Sequence, residues 1–179
     1  GIFASLSVHL DQTVRQSRAF IWFIISRLAA LVAINNISSF LLYFFQEKFN
    51  LPAKQAVSLA GQLPMVLGGF VILFGLVAGW LADRFDRRNL AALGGLIGAA
   101  GVAVMIFGPN IPMMYVAAGI IGLAYSLFNV ASWALGTEII PKERAGEFLG
   151  LQNLAGAGAG AIGAYIGGRV ADQSGYVLM

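Results

Sequence analysis

Long apolar runs separated by short polar breaks organise the whole sequence. The first run covers residues 19–49 and stops at Asn50-Leu51-Pro52-Ala53-Lys54. It exceeds the ~20 residues that a bilayer requires, so it is expected to tilt, bend or protrude. The second, residues 55–81, contains Pro64, whose missing N–H and ring predict a kink that neighbouring helices in a bundle can accommodate. The third run, 89–107, is closed by Gly108-Pro109-Asn110; the fourth covers 112–137 and the fifth 148–170. Residues 82–88 and 138–147 read as charged loops, 1–18 as a polar lead-in, and 171–179 as an outer segment leading to a further span. Together these elements predict an all-α membrane protein, a polytopic bundle of about five transmembrane helices.

Composition sharpens this picture. The chain is 59% hydrophobic, above the ~45–50% of a soluble domain, and its mean hydropathy is +0.81. Little sequence is left for a soluble domain. Cysteine is absent, which excludes a disulfide framework and a Cys-based metal site within these residues. The formal charge of +3 comes mostly from the loops, so it reads as a topology signal and not as a nucleic-acid footprint. Arg15, Arg18, Arg84, Arg87, Arg88, Lys142 and Arg144 fall on the side of the N-terminus, against Lys48, Lys54 and Arg169 opposite. By the positive-inside rule the N-terminus and the stretch 79–88 are expected in the cytoplasm. Residues 1–17 lack the basic start and apolar core of a signal peptide. The chain begins without Met and ends in what looks like the start of another apolar run, as expected of a piece of a longer protein.

Several familiar signals carry no chemistry here. Gly158-Ala159-Gly160-Ala161-Ile162-Gly163 fits a dinucleotide-binding fingerprint but sits inside an apolar span, with no strand before it. Asn36-Ile37-Ser38 fits a glycosylation acceptor but falls within the first span. His9, the single histidine, precedes the spans and has no second ligand or catalytic partner. With no nucleophile set, no paired intramembrane carboxylates and no metal cluster, neither an enzyme nor a cofactor is expected. Gly94, Gly98 and Gly101 share one helical face, as do Gly156, Gly160, Gly163 and Gly167; such smooth faces let helices approach closely.

The densest charge lies in Gly79-Trp80-Leu81-Ala82-Asp83-Arg84-Phe85-Asp86-Arg87-Arg88. Asp83 is placed to accept hydrogen bonds from a neighbouring helix N-terminus, and Arg84, Arg87 and Arg88 to pair with Glu138, Glu143 or Glu147. Gly79-x-x-x-Asp83-Arg84-x-x-Arg87-Arg88 resembles the G-x-x-x-D-R/K-x-G-R-R/K motif of the major facilitator superfamily, which recurs after the second span of each six-helix half. Glu138-x-x-Pro141-x-x-Arg144 resembles the charged exit of a half's fourth helix, which joins that motif in a cytoplasmic salt-bridge network. The resemblance covers nearly the whole chain as the seventh to eleventh helices of a twelve-helix transporter. One departure stands out: Asp86 occupies the position where the motif has glycine.

In such a transporter the first helix of each three-helix repeat contributes to the central cavity, which directs attention to the first and fourth spans. At about 100° per residue, Tyr125, Asn129 and Ser132 share a narrow arc, with Trp133 at its margin. Asn36, Ser39 and Tyr43 form a comparable stripe on the first span. Polar side chains at membrane depth must face protein or water, so these seven residues are the candidate substrate-binding set. Arg27 lies well inside the first span and about 180° from Asn36; it is expected to pair with an acid from elsewhere or to snorkel to the interface. The resemblance implies secondary active transport of a small polar solute, a sugar or metabolite, by ion-coupled alternating access, together with a missing N-terminal half. Alternatives are a drug or metabolite exporter of the same superfamily, or a non-transporting membrane scaffold that retains the fold.

Overall fold

The computed structural model describes residues 18–139 and 145–176 as a succession of helices: α1 Arg18–Phe49, α2 Ala53–Arg84, α3 Arg87–Phe107, α4 Ile111–Ile139 and α5 Ala145–Ser174. Among the described residues four stretches are long and apolar enough to cross a membrane: Ile21–Phe49, Ala53–Arg84, Arg87–Phe107 and Ile111–Glu138. In α5 Gly and Ala replace larger apolar side chains over much of its 30 residues.

The helices end where local chemistry ends them. After Phe49, Asn50 takes a left-handed conformation (φ 52°), which Asn tolerates better than most residues, and Pro52 stands at the N-cap of α2. Asn110 Oδ1 accepts from the Met113 N–H at 3.1 Å and so caps the start of α4. Gly175, with φ 80°, closes α5 while its N–H bonds the Ala171 carbonyl. Lys48 Nζ donates to the carbonyls of Met105, at 2.8 Å, and Ile106, placing a cation at the C-terminal end of α3 where the helix dipole favours it.

The stretch 82–88, expected as a loop, is nearly all helical. α2 continues through Arg84 and α3 begins at Arg87, so only Phe85 and Asp86 connect them. α4 likewise continues to Ile139, α5 starts at Ala145 and runs on to Ser174, and residues 140–144 lie outside the described residues. Hydropathy marks where apolar surface ends; the backbone ladder continues into polar sequence until a cap or breaker stops it.

α4 lies at the centre of the packing. Half of its apolar window is buried, against 11% in α2, so α2 meets its surroundings where α4 meets helices. At the α1 C-terminal end, Leu41, Phe44 and Phe45 join Leu63, Met105, Met114 and Ile121 in one apolar cluster. At the charged end, Ala78, Ala82, Leu90, Leu127 and Ala131 form a second. Met65, Ile72 and Leu76 on α2 are 77–86% exposed and form an apolar face suited to lipid.

Close backbone approach explains the glycines. A Cβ at Gly94 of α3 would stand 2.8 Å from the Phe128 nitrogen of α4, and one at Gly122 of α4 would stand 2.6 Å from the Leu67 carbonyl oxygen of α2. On α5, Gly163 faces the Val32 carbonyl of α1 and Gly167 faces the Asn36 side chain, whereas Gly160 faces open space. Gly94→Val is therefore expected to cost about 1–3 kcal/mol or more, read as a lowered melting temperature of detergent-purified protein. Gly95→Ala, whose added methyl meets nothing within 4 Å, should leave stability unchanged or raise it by up to about 1 kcal/mol.

Candidate functional site

At the charged end, the carboxylate that caps a helix is Asp86, where Asp83 was expected to do so. Its Oδ1 accepts from the backbone N–H groups of Arg88, at 2.8 Å, and Asn89, at 3.1 Å. Two donors of the first turn of α3 are thereby satisfied, and a negative charge meets the positive end of the helix. Asp86 has φ −58° and ψ 121°, an ordinary extended geometry, so this turn does not require the glycine of the resembled motif. Asp83 stands exposed on the last turn of α2.

Arg87 gathers three helices. Its Nη1 forms an ion pair with Glu138 and donates to the Ala134 carbonyl at 3.2 Å, both on α4, while its Nε reaches the Ala82 carbonyl of α2 at 3.4 Å. The two charged side chains are 28% and 56% exposed, which limits the pair to about 0–1 kcal/mol. Its importance is geometric, since it fixes the turn after α2 to the end of α4. Arg84 lies over the Trp80 ring, 4.1 Å from its centroid, and Arg88 is exposed at the mouth of a groove beside Trp22 and Phe23. Arg144 lies outside the described residues.

Deeper in the bundle, the sequence-derived lining divides between two places. On α4, Tyr125 and Asn129 are half-buried, Ser132 is buried, and Trp133 is 41% exposed. The guanidinium of Arg27, from α1, sits over the Trp133 ring, 4.7 Å from its centroid, and Tyr125 lines the adjoining groove together with Ser26. Arg27 is only 6% exposed, so it folds back against α4 where the sequence led us to expect a distant acid or a snorkelling side chain. The α1 stripe turns toward α5. Asn36 faces Gly167, Ser39 is exposed, and the Tyr43 ring stacks on Tyr176 with centroids 5.0 Å apart. A groove between α1, α3 and α4 encloses about 490 Å³ beside Ser26, Gly98, Tyr125 and Phe128, and continues toward Arg88.

Some polar contacts had no clear sequence signal. Tyr115 donates to Gln62 Oε1 at 2.8 Å, Ser126 donates to the Val71 carbonyl at 3.3 Å, and Glu47 accepts from the Tyr176 N–H at 2.6 Å. Each depends on which helix lies opposite. The Asp86 cap did have a signal, an Asp directly before a helical run. No group of three or more potential metal ligands occurs among the described residues.

These helices, the basic turn after the second of them and its ion pair to the fourth meet a direct comparison: the family model described as Major Facilitator Superfamily matches residues 5–164. The chain belongs to the major facilitator superfamily. It is an integral, multi-pass membrane protein and not an enzyme. Among curated members of the superfamily, the minor myo-inositol transporter IolF of Bacillus subtilis (strain 168) is 34% identical over 87 residues, 49% of this chain and 20% of that protein. The lysosomal dipeptide transporter MFSD1 of Mus musculus is 26% identical over 137 residues, 76% of this chain and 28% of that protein. No solved structure matches the chain significantly. The chain thus spans under a third of the length of these superfamily relatives.

The cap at Asp86 gives a graded test within this family-like turn. Asp86→Ala is expected to cost about 0.5–2 kcal/mol, and Asp86→Gly only a few tenths, measured by thermal unfolding of the purified protein. Equal losses for the two would show that the side-chain cap is not what holds the turn.

Proposed function

We propose that these helices form part of one bundle of a transporter that carries a small polar solute across the membrane by alternating access. The observation that carries the reading is the meeting of Arg27 of α1 with Trp133 of α4, beside a groove that Tyr125 lines. Polar and charged groups at membrane depth are costly unless they face protein, water or a ligand. Family membership and the transport activities named for the two relatives support the same reading.

In this proposal the rest of the pathway comes from a second bundle in a longer protein, and the helices rock about the α1–α4 seam. The excess of Arg at the end carrying 79–88 supports a cytoplasmic position for that end by the positive-inside rule. Arg87 and Glu138 then form a cytoplasmic latch that holds in one conformation and opens in the other. Asp83, Asp86 and Glu138 stand at one end of the helices, and Glu47 and Asp172 at the other. Ion-coupled symport would accordingly draw its intramembrane acid from outside these described residues.

The test is uptake by the full-length protein reconstituted into vesicles, with myo-inositol and alanyl-alanine as probes. Asn129→Ala should weaken uptake affinity about three- to tenfold, the loss of one hydrogen bond. Arg87→Glu and Glu138→Arg should each slow uptake, and the two combined should restore it in part. Absence of uptake of any solute by folded protein would favour a scaffold that has kept the fold.

A further inference from the structure

Arg27 is the buried cation that helix packing leaves incompletely satisfied. Its Nε and Nη1 atoms are buried without a hydrogen-bond acceptor, although the residue is only 6% exposed. Among the described residues no carboxylate pairs with it; what it meets is the π-face of Trp133. An aromatic face stabilises the charge but provides no oxygen acceptor for the N–H groups. An unpaired buried charge at membrane depth is costly, and such a residue is by default part of a functional site.

The chemistry that would complete it is narrow. A guanidinium presents N–H donors in a planar fork that matches a carboxylate or a phosphate. A doubly charged phosphate calls for more than one cation, and Arg84, Arg87 and Arg88 are committed to the charged end, at the far end of α2 or the start of α3. One arginine against one aromatic face suits a single negative charge. Tyr125, which lines the adjoining groove, adds a hydroxyl able to donate or accept a hydrogen bond.

Access follows from the packing. α3 and α2 are tied to α4 through close glycine crossings, whereas α1 touches α4 only lightly. Parting of that light seam exposes the guanidinium edge without unpicking the rest of the bundle.

We infer that Arg27 binds a carboxylate group of the transported solute, with the Trp133 ring holding the guanidinium in place and Tyr125 contributing a second polar contact. This rests on the transport reading above and adds to it a substrate class, a small monocarboxylate. The same chemistry has a second source, a carboxylate side chain elsewhere in the full-length protein.

The experiment compares binding of alanyl-alanine, its amide alanyl-alaninamide, which lacks the carboxylate, and myo-inositol to purified full-length protein by isothermal titration. Wild type should bind the acid at least about tenfold more tightly than the amide, and Arg27→Gln should erase that preference. Arg27→Lys should retain a smaller preference, since the charge stays but the planar fork is lost. Should Arg27→Gln fail to fold, Arg27→Lys decides: an undiminished preference overturns the inference. Equal weakening of the acid and the amide by Arg27→Gln also overturns it and assigns Arg27 to a carboxylate of the protein itself. Binding of myo-inositol but of neither alanyl probe overturns the inference and leaves the transport reading standing. Binding of none of the three counts against both.

Discussion

Apolar side chains gain little by leaving lipid for one another, so helices in a bilayer are held by close backbone approach and by polar bonds. In this chain that condition falls on α4. Its backbone is approached from one side by α3 at Gly94 and from another by α2 at Gly122, at distances that leave no room for a Cβ. Both apolar clusters include α4 residues, one near each end of the helix. Every other placement depends on this one: α2 and α3 are fixed by α4, the two-residue turn between them is carried with them, and α1 brings α5 alongside.

The charged turn derives its shape from that arrangement. With α2 and α3 both packed on α4, the connection is reduced to Phe85 and Asp86, and Asp86 meets the demand for an N-cap. Arg87 then falls beside the last turn of α4 and pairs with Glu138, an interaction too exposed to stabilise the fold strongly yet well placed to report on whether that end is closed. The same rigid group presents Tyr125 and Trp133 to α1, the more loosely held neighbour, and there the polar chemistry gathers. Rigid packing on two sides and a light seam on the third favour motion at the seam.

Much of the fold was legible in the sequence because its rules are local. Apolar run length, Pro52, the Gly108-Pro109-Asn110 break and the basic turn located helices and connections from residue type alone. The helix ends were misplaced wherever polar residues continued the ladder, as at Ala82–Arg84, because hydropathy measures solvent preference and not hydrogen bonding. Helix rotation was not legible. The spacing assigns Arg27 and Asn36 to different faces of α1, but nothing local revealed that α4 faces Arg27 and α5 faces Asn36. For the same reason the glycine faces were visible before it was clear that Gly94 and Gly167 lie at crossings and Gly160 does not.

A cross-link between α3 and α4 tests whether α4 is the hub. A Cβ at Gly98 would stand 3.6 Å from the Cβ of Ala124, within the ~3.5–4.5 Å span of a disulfide, and this chain contributes no cysteine of its own. On a cysteine-free background, the full-length protein carrying Gly98→Cys and Ala124→Cys should form that bond rapidly in native membranes under mild oxidant, detected as lost maleimide labelling that returns on reduction. Two cysteines that stay reduced and fully labelled in folded protein would contradict the packing on which the account rests.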